Sequence, residues 1–206
     1  MINRKHNCLH IHIPRSAGLS INKSLFSTDI SEKLTAVQYR NLFGDIFDDV
    51  FKFGFVRNPW DRLVSIYCYC KNSKLDVCGT LLQHCVSKYG GNSFFEFISL
   101  VEYVVTHDSF YTSGLPHDWK LFLQPQYYWL YEGDDLLADF VGRYERLHAD
   151  YNKVCDFIGT QGKRNRLSRV GFTKNRFQYR GYYNTASVDI VKKIYSVDCE
   201  AFNYTF

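Results

Sequence analysis

The stretch Lys52-Phe53-Gly54-Phe55-Val56-Arg57-Asn58-Pro59-Trp60-Asp61-Arg62-Leu63-Val64-Ser65-Ile66-Tyr67 decides how this chain folds. Its first half alternates aromatic, glycine and β-branched residues, which predicts a short buried strand. Asn58 is a good helix N-cap and Pro59 suits the first helical position, so the second half predicts a helix that begins at once. A strand that delivers Arg57 to a helix N-terminus is typical of an anion site, and Ser65 lies two turns further along that helix. The alternative is an ordinary strand-to-helix corner with a surface arginine.

A second corner of the same kind lies near the beginning of the sequence. Cys8-Leu9-His10-Ile11-His12-Ile13 predicts a strand, and Pro14-Arg15-Ser16-Ala17-Gly18-Leu19-Ser20-Ile21 follows it. Small residues from Ser16 to Ser20 allow backbone N–H groups to converge on one anion at the start of a helix, whose dipole adds to the attraction. Arg15 adds a full positive charge. The loop lacks the second glycine and the Lys-Ser or Lys-Thr pair of a Walker A loop, so we do not expect nucleotide-triphosphate hydrolysis.

Both corners resemble motifs of the sulfotransferases that use 3′-phosphoadenosine 5′-phosphosulfate (PAPS). His12–Ile21 is similar to their 5′-phosphosulfate loop, and Phe55–Ser65 is similar to their 3′-phosphate motif. By this resemblance the chain is identified as a member of the family, in its carbohydrate-type branch. The likeness continues in the family's order through four further stretches: Phe140–Leu147, Tyr179–Tyr183, Ile194–Asp198 and Phe202–Tyr204.

Strands that alternate with helices predict a three-layer α/β sandwich with a mainly parallel central sheet, and the resemblance implies a P-loop-like nucleotide fold. Ligands of such sheets bind at the carboxyl ends of the strands, where both loops fall. We expect a single domain over residues 1–206, with a mostly helical insertion over about 72–129. Outside the two corners, the pattern predicts a helix over Thr35–Phe43 and a strand over Phe140–Tyr144.

Composition limits the classes of protein to consider. The 206 residues suffice for a hydrophobic core, and a net charge of +4 fits a protein that holds a polyanionic nucleotide without demanding nucleic acid. Seven irregularly spaced cysteines lack the paired Cys-x-x-Cys pattern of a zinc site, and we interpret them as reduced thiols. No apolar run approaches the ~20 residues of a membrane span, and no signal peptide precedes the first strand. We therefore expect a cytoplasmic protein with no metal and no membrane contact.

The resemblance implies roles for individual residues. Arg15 and the N–H groups from Ser16 to Ser20 would hold the 5′-phosphosulfate, although the family usually has a lysine where Arg15 stands. Arg57 and Ser65 would hold the 3′-phosphate. With two positions discussed next, the expected nucleotide-binding residues are Arg15, Ser16, Ala17, Gly18, Leu19, Ser20, Arg57, Ser65, Tyr144 and Arg180.

Tyr144 and Arg180 each have an alternative role that does not involve the nucleotide. Tyr144 stands where related enzymes have a tyrosine near the adenine, and the alternative is core packing. Arg180-Gly181 resembles an element that closes over the nucleotide elsewhere in the superfamily. Arg180 also ends a basic run that begins at Lys163, for which the alternative is a solvated loop.

The general base is harder to assign. Close relatives often have a histidine just before Leu-Thr-Ala, where this chain has Lys33, and no histidine lies between Arg15 and Arg57. Glu32 is the nearest carboxylate and our preferred base, while Lys33 would stabilise negative charge. With Arg15 they form the expected catalytic set. The alternatives lie in the predicted insertion: His107, His117 and Asp118.

These patterns predict transfer of a sulfuryl group from PAPS to a hydroxyl of a glycan or small metabolite. One alternative is a protein that binds PAPS but has lost turnover together with the histidine. Another is a nucleic-acid-binding protein built around the basic run Lys163–Arg180, which would bind in a salt-sensitive way that PAPS does not displace. The sequence leaves the acceptor and the oligomeric state open.

Overall fold

The computed structural model describes residues 2–29, 32–72, 76–106, 121–168, 170 and 178–206. The chain divides into two compact units, one of residues 1–57 with 126–172 and the other of residues 58–125 with 173–206. The first unit contains a β-sheet with helices, and the described part of the second unit is helical. That the chain forms a single domain stays a prediction.

Within the described residues, the strands all belong to the first unit. In chain order they are β1 (Ile2–Asn3), β2 (Cys8–Ile11), β3 (Phe51–Val56), β4 (Tyr131–Glu132), β5 (Asp135–Leu136) and β6 (Phe140–Arg143). The main sheet has the order β1-β2-β3-β6, in which β2, β3 and β6 are parallel and β1 is an antiparallel edge strand. Its register pairs Ile11 with Gly54, and Val56 with Arg143. The prediction of a mixed α/β fold with a mainly parallel sheet is confirmed.

Helices occur in both units. The helices of the first unit are α1 (Gly18–Phe26), α2 (Ala36–Phe43), α3 (Asp45–Asp49), α7 (Tyr127–Leu130) and α8 (Leu147–Phe157). Those described in the second unit include α4 (Pro59–Asn72), α5 (Asp76–Tyr89), α6 (Phe94–Thr106), α9 (Thr185–Ile194) and α10 (Ser196–Phe202). Single 3-10 turns lie at Tyr144–Arg146, Gln161–Lys163 and Tyr179–Tyr182. Within the predicted insertion α5 and α6 are helical, and residues 107–120 lie outside the described residues.

Local capping explains where the predicted helices begin. Thr35 Oγ accepts a hydrogen bond from Gln38 N (3.2 Å), and Gln38 Oε1 accepts one from Thr35 N (2.8 Å), which makes a capping box for α2. Asn58 Oδ1 accepts from Trp60 N (3.1 Å) at the beginning of α4, which confirms the predicted cap.

Each unit has its own apolar core. In the first unit α1 and α8 pack against the sheet, and the core consists of Cys8, Ile21, Leu25, Phe53, Phe55, Tyr151, Val154, Cys155 and Ile158. In the second unit α4, α6 and α9 supply most of the core, which includes Trp60, Leu63, Val64, Ile66, Tyr67, Phe97, Val101, Val191 and Ile194. Removal of these side chains from water drives the packing of both units.

The cysteines whose side chains are described are free thiols, as the sequence predicted. Most are buried, and burial raises the pKa of Cys8 to about 12, which keeps that thiol protonated. No helix within the described residues combines the length and the apolar character that crossing a membrane requires.

Candidate functional site

The loop between β2 and α1 has an unusual backbone. Arg15 (φ 68°) and Ala17 (φ 69°) lie in the left-handed region although neither is glycine, and Ser16 between them does not. Such alternation is typical of anion-binding concavities, although the Ser16 N–H of this loop donates to Ile13 O (3.3 Å). Among the described residues no side chain caps α1, so its first-turn N–H groups remain available as donors. The backbone thus has the form expected of a phosphosulfate loop, and its binding of that group stays a prediction.

His12 packs directly beneath this loop. Its buried ring stacks with His10 (6.0 Å between centroids), and it lies so close to Gly18 that a Cβ built there would overlap the imidazole. His10 in turn stacks on Phe53 (4.9 Å), and its Nδ1 donates to Asn22 Oδ1 (2.5 Å). The absence of a side chain at Gly18 is therefore required by close approach of the ring.

Both imidazoles are neutral at neutral pH. Burial lowers the pKa of His12 to about 3, and the positive charges of Lys33 and Arg15 contribute to the same shift. Burial also lowers the pKa of His10 well below its ordinary value, with a further contribution from His12.

Because His10 and His12 are buried in the neutral form, we expect the stability of the folded protein to depend on pH. The folded-state pKa of His12 (about 3) lies below its ordinary value of 6.5, so between these values the unfolded chain binds more protons. The free energy of unfolding should therefore fall as the pH decreases through this window, by up to ~1.4 kcal/mol per pH unit for each buried histidine. Urea unfolding across the upper part of the window should show a smaller slope for His12→Asn. The exposed His148→Gln is the control, and an unchanged slope for His12→Asn would contradict the prediction.

Arg57 lies at the carboxyl end of β3 and is almost completely buried (3% exposed). Its Nη1 donates to the main-chain oxygen of Arg15 (3.0 Å), and its guanidinium carbon lies 3.9 Å from the centroid of the Tyr144 ring. The hydrogen bond and the cation–π contact fix the guanidinium beside the loop. The structure therefore brings together three of the predicted positions, Arg15, Arg57 and Tyr144.

Gln126, which the sequence did not single out as a site residue, also lies here. Its side chain is fully buried, and Oε1 accepts hydrogen bonds from Arg57 N (2.8 Å) and Ser16 Oγ (3.2 Å). Its Nε2 donates to Arg57 O (2.8 Å). The only signal in the sequence is a Pro-Gln pair before an aromatic run, which does not indicate where the amide points.

The Ser20 hydroxyl forms hydrogen bonds with main-chain groups. Ser20 Oγ accepts from Val170 N (3.1 Å) and donates to Val170 O (3.2 Å). Nearby, Ser24 Oγ accepts from Ser168 N (2.7 Å), and Lys163 Nζ donates to a main-chain oxygen of α1 (2.7 Å). The first part of the basic run thus lies along α1, while residues 169 and 171–177 lie outside the described residues.

Glu32 and Lys33 precede α2. Glu32 is exposed, and its carboxylate accepts a hydrogen bond from the hydroxyl of Tyr39 (3.2 Å). Burial, followed by the nearby Glu32 charge, raises the pKa of Tyr39 above its usual range, so the phenol stays a donor that orients this carboxylate. The role of Glu32 as base stays a prediction. The alternative bases (His107, His117 and Asp118) lie outside the described residues.

The two other predicted binding residues belong to the second unit. Ser65 is buried on α4. Arg180 is exposed on the 3-10 turn Tyr179–Tyr182, where its guanidinium carbon lies 4.9 Å from the centroid of the Phe206 ring. Their roles in nucleotide binding stay predictions of the resemblance.

Fold and site together define a class: a mixed α/β protein with a main-chain donor loop and a buried arginine at the carboxyl ends of parallel strands. A family model described as "Sulfotransferase family" matches residues 1–205. The chain therefore belongs to the sulfotransferase family, as its motifs predicted, and family members in general take sulfate from PAPS. Comparison with curated proteins and with solved structures finds no significant match.

Proposed function

We propose that this protein is a PAPS-dependent sulfotransferase with a three-layer, P-loop-like fold, and that its acceptor is a hydroxyl of a glycan or small metabolite. The observation that carries the proposal is the contact between the two phosphate motifs, in which Arg57 Nη1 donates to Arg15 O (3.0 Å). A donor with phosphate on both its 5′ and 3′ oxygens needs two anion sites held at a constant separation. This contact supports such an arrangement.

The residues of the first unit fit this donor. The left-handed residues Arg15 and Ala17 shape a loop whose N–H groups hold the 5′-phosphosulfate, and the guanidinium of Arg57 holds the 3′-phosphate. Tyr144 lies beside Arg57, which supports its proposed contact with the nucleoside. Ser65 and Arg180 keep the binding roles that the resemblance implies.

When bound, PAPS would supply the sulfuryl group: the acceptor oxygen bonds to sulfur, the bond between sulfur and the 5′-phosphate oxygen breaks, and adenosine 3′,5′-bisphosphate leaves with the negative charge on its 5′-phosphate. Arg15 and the N–H groups of the loop stabilise the negative charge that grows on this phosphate. Glu32 takes the proton of the acceptor hydroxyl, and Lys33, whose charge acts on His12, adds positive potential beside the loop.

Transfer of labelled sulfate from PAPS to a panel of sugars, lipids and phenols tests the proposal. We expect a sulfated hydroxyl product. No product from any acceptor, together with tight binding of adenosine 3′,5′-bisphosphate (PAP), would support a binding protein without turnover. Salt-sensitive binding to DNA or RNA that PAPS does not displace would support the nucleic-acid alternative.

Transfer should need no metal ion, because no carboxylate cluster adjoins the phosphosulfate loop in the sequence. Activity that a chelator abolishes would contradict this point. We also propose a cytoplasmic location and no membrane partner, which fractionation of cells that express the protein would test.

The donor assignment predicts a clear effect at Arg57. In the wild-type protein PAP should raise the melting temperature far more than AMP does, since AMP lacks the 3′-phosphate. Arg57→Ala should erase the difference between the two ligands even if it lowers the melting temperature of the free protein. Arg40→Ala, which removes an arginine that pairs with the exposed Glu132, is the control and should keep the difference. Equal stabilisation of the wild-type protein by AMP and PAP would place the 3′-phosphate elsewhere.

A further inference from the structure

We infer that Gln126 is a positioning residue that holds the two phosphate motifs in register, so that a ligand with both phosphates binds more tightly than either mononucleotide. The inference rests on the proposed function, since it concerns the same donor. Gln126 itself does not need to contact the ligand. Its effect passes through Arg57 and Ser16.

The first observation is that the Gln126 side chain binds the main chain of Arg57. The Gln126 amide donates to the main-chain oxygen of Arg57 (2.8 Å) and accepts from its main-chain nitrogen (2.8 Å). These two hydrogen bonds have the pattern by which a residue pairs with a neighbouring strand. They therefore hold the backbone of Arg57, the residue that follows the end of β3 at Val56, as firmly as a strand residue. The Arg57 backbone therefore cannot rotate without breaking both bonds.

The second step is the link to the other motif. The same Oε1 accepts from Ser16 Oγ (3.2 Å), and Ser16 lies between the left-handed residues Arg15 and Ala17. Non-glycine residues keep such a conformation only where their surroundings over-determine it. Ser16 is 1% exposed, so its hydroxyl has little access to water as a substitute partner. Gln126 thus secures the strained loop and the arginine with one amide group.

A third contact joins the two motifs directly, without Gln126. Arg57 Nη1 donates to Arg15 O (3.0 Å), so the side chain of one motif binds the main chain of the other. Loss of the Gln126 amide would remove the side-chain link between the motifs and leave this bond and the pairing of β2 with β3. Buried donors and acceptors would then lack partners, and the loop and Arg57 would adjust separately.

The test compares three nucleotides by isothermal titration: PAP, adenosine 5′-monophosphate and adenosine 3′-monophosphate. Gln126→Met keeps the side-chain length and removes all three hydrogen bonds. We expect the affinity for PAP to fall about ten- to a hundredfold, and the affinity for each mononucleotide to fall less than about threefold. Gln124→Met is the matched control, because the Gln124 side-chain nitrogen has no hydrogen-bond partner among the described residues. This control should bind all three nucleotides as the wild type does.

A second variant distinguishes an effect on the position of the two motifs from a general loss of folding. Gln126→Glu keeps size and acceptor, but in its ionised form it places a carboxylate oxygen against the carbonyl of Arg57. Lowering the pH toward about 5 protonates the buried carboxyl, which then donates to that carbonyl again. The preference of this variant for PAP over the mononucleotides should recover on acidification, relative to the wild type measured at each pH. Gln126→Glu also serves as the test if Gln126→Met does not fold.

The outcomes distinguish this inference from the proposed function. A wild-type protein without preference for PAP would overturn both. A wild-type preference that Gln126→Met retains, or an equal loss for all three nucleotides, would overturn the inference alone. Lack of recovery of Gln126→Glu at low pH would also overturn it.

Discussion

Replacement of Glu32 by glutamine is expected to lower the turnover number for sulfuryl transfer by about 10²–10⁴-fold, with almost no change in affinity for PAP. Glutamine has the same size as glutamate, and its side-chain oxygen can still accept the hydrogen bond from Tyr39 (3.2 Å in the wild type). It cannot accept the proton of the acceptor hydroxyl. The loss should therefore appear in turnover and not in donor binding.

Three variants make this result specific to Glu32. Glu200→Gln removes an exposed carboxylate of α10 and should keep full activity. Tyr39→Phe removes the donor that orients Glu32 but leaves the base, so its loss of turnover should be smaller than that of Glu32→Gln. Lys33→Ala should act on charge stabilisation and change the pH profile differently. If Glu32→Gln stays active while His107→Ala or His117→Ala is inactive, the base lies in the predicted insertion and our assignment is wrong.

The second large effect is expected for Gly18→Ala. The added methyl group would overlap the His12 ring, which is buried and stacked with His10 and so has little room to move. Overpacking of this kind costs about 1–3 kcal/mol. Because Gly18 begins α1, any shift that relieves the overlap also displaces the first-turn N–H groups of the loop. We expect a lower unfolding midpoint and a more than about tenfold loss in PAP affinity.

Two controls identify the cause. Gly162→Ala places a methyl group where no atom lies within 4 Å and where φ is not positive, so it should leave stability and PAP affinity unchanged. His12→Ser in the Gly18→Ala background removes the ring that the methyl group meets. The double variant should recover part of the stability that Gly18→Ala loses. If the changes in the free energy of unfolding of the two single variants simply add in the double variant, close approach to His12 is not the reason for glycine at this position.

Local sequence determined the framework of this protein. The cap at Asn58, the helical pattern of Thr35–Phe43, and the alternation of the strand before Arg57 were sufficient to predict where α4, α2 and β3 lie. These features depend on residues within a few positions of one another, and their periodicity is visible in the chain itself. The order of the motifs was likewise sufficient to predict the family that matches residues 1–205.

Tertiary structure alone decided how the candidate site is assembled. Gln126 meets Ser16 and Arg57 across separations of 110 and 69 residues, and the ring of Tyr144 lies against the Arg57 guanidinium. The neutral state of His12 likewise depends on its burial beneath the loop. Periodicity predicts which face of an element is buried, but not which distant polar group a buried side chain binds. That choice depends on the three-dimensional packing, because a buried amide, guanidinium or imidazole is stable only where the folded chain supplies its partners.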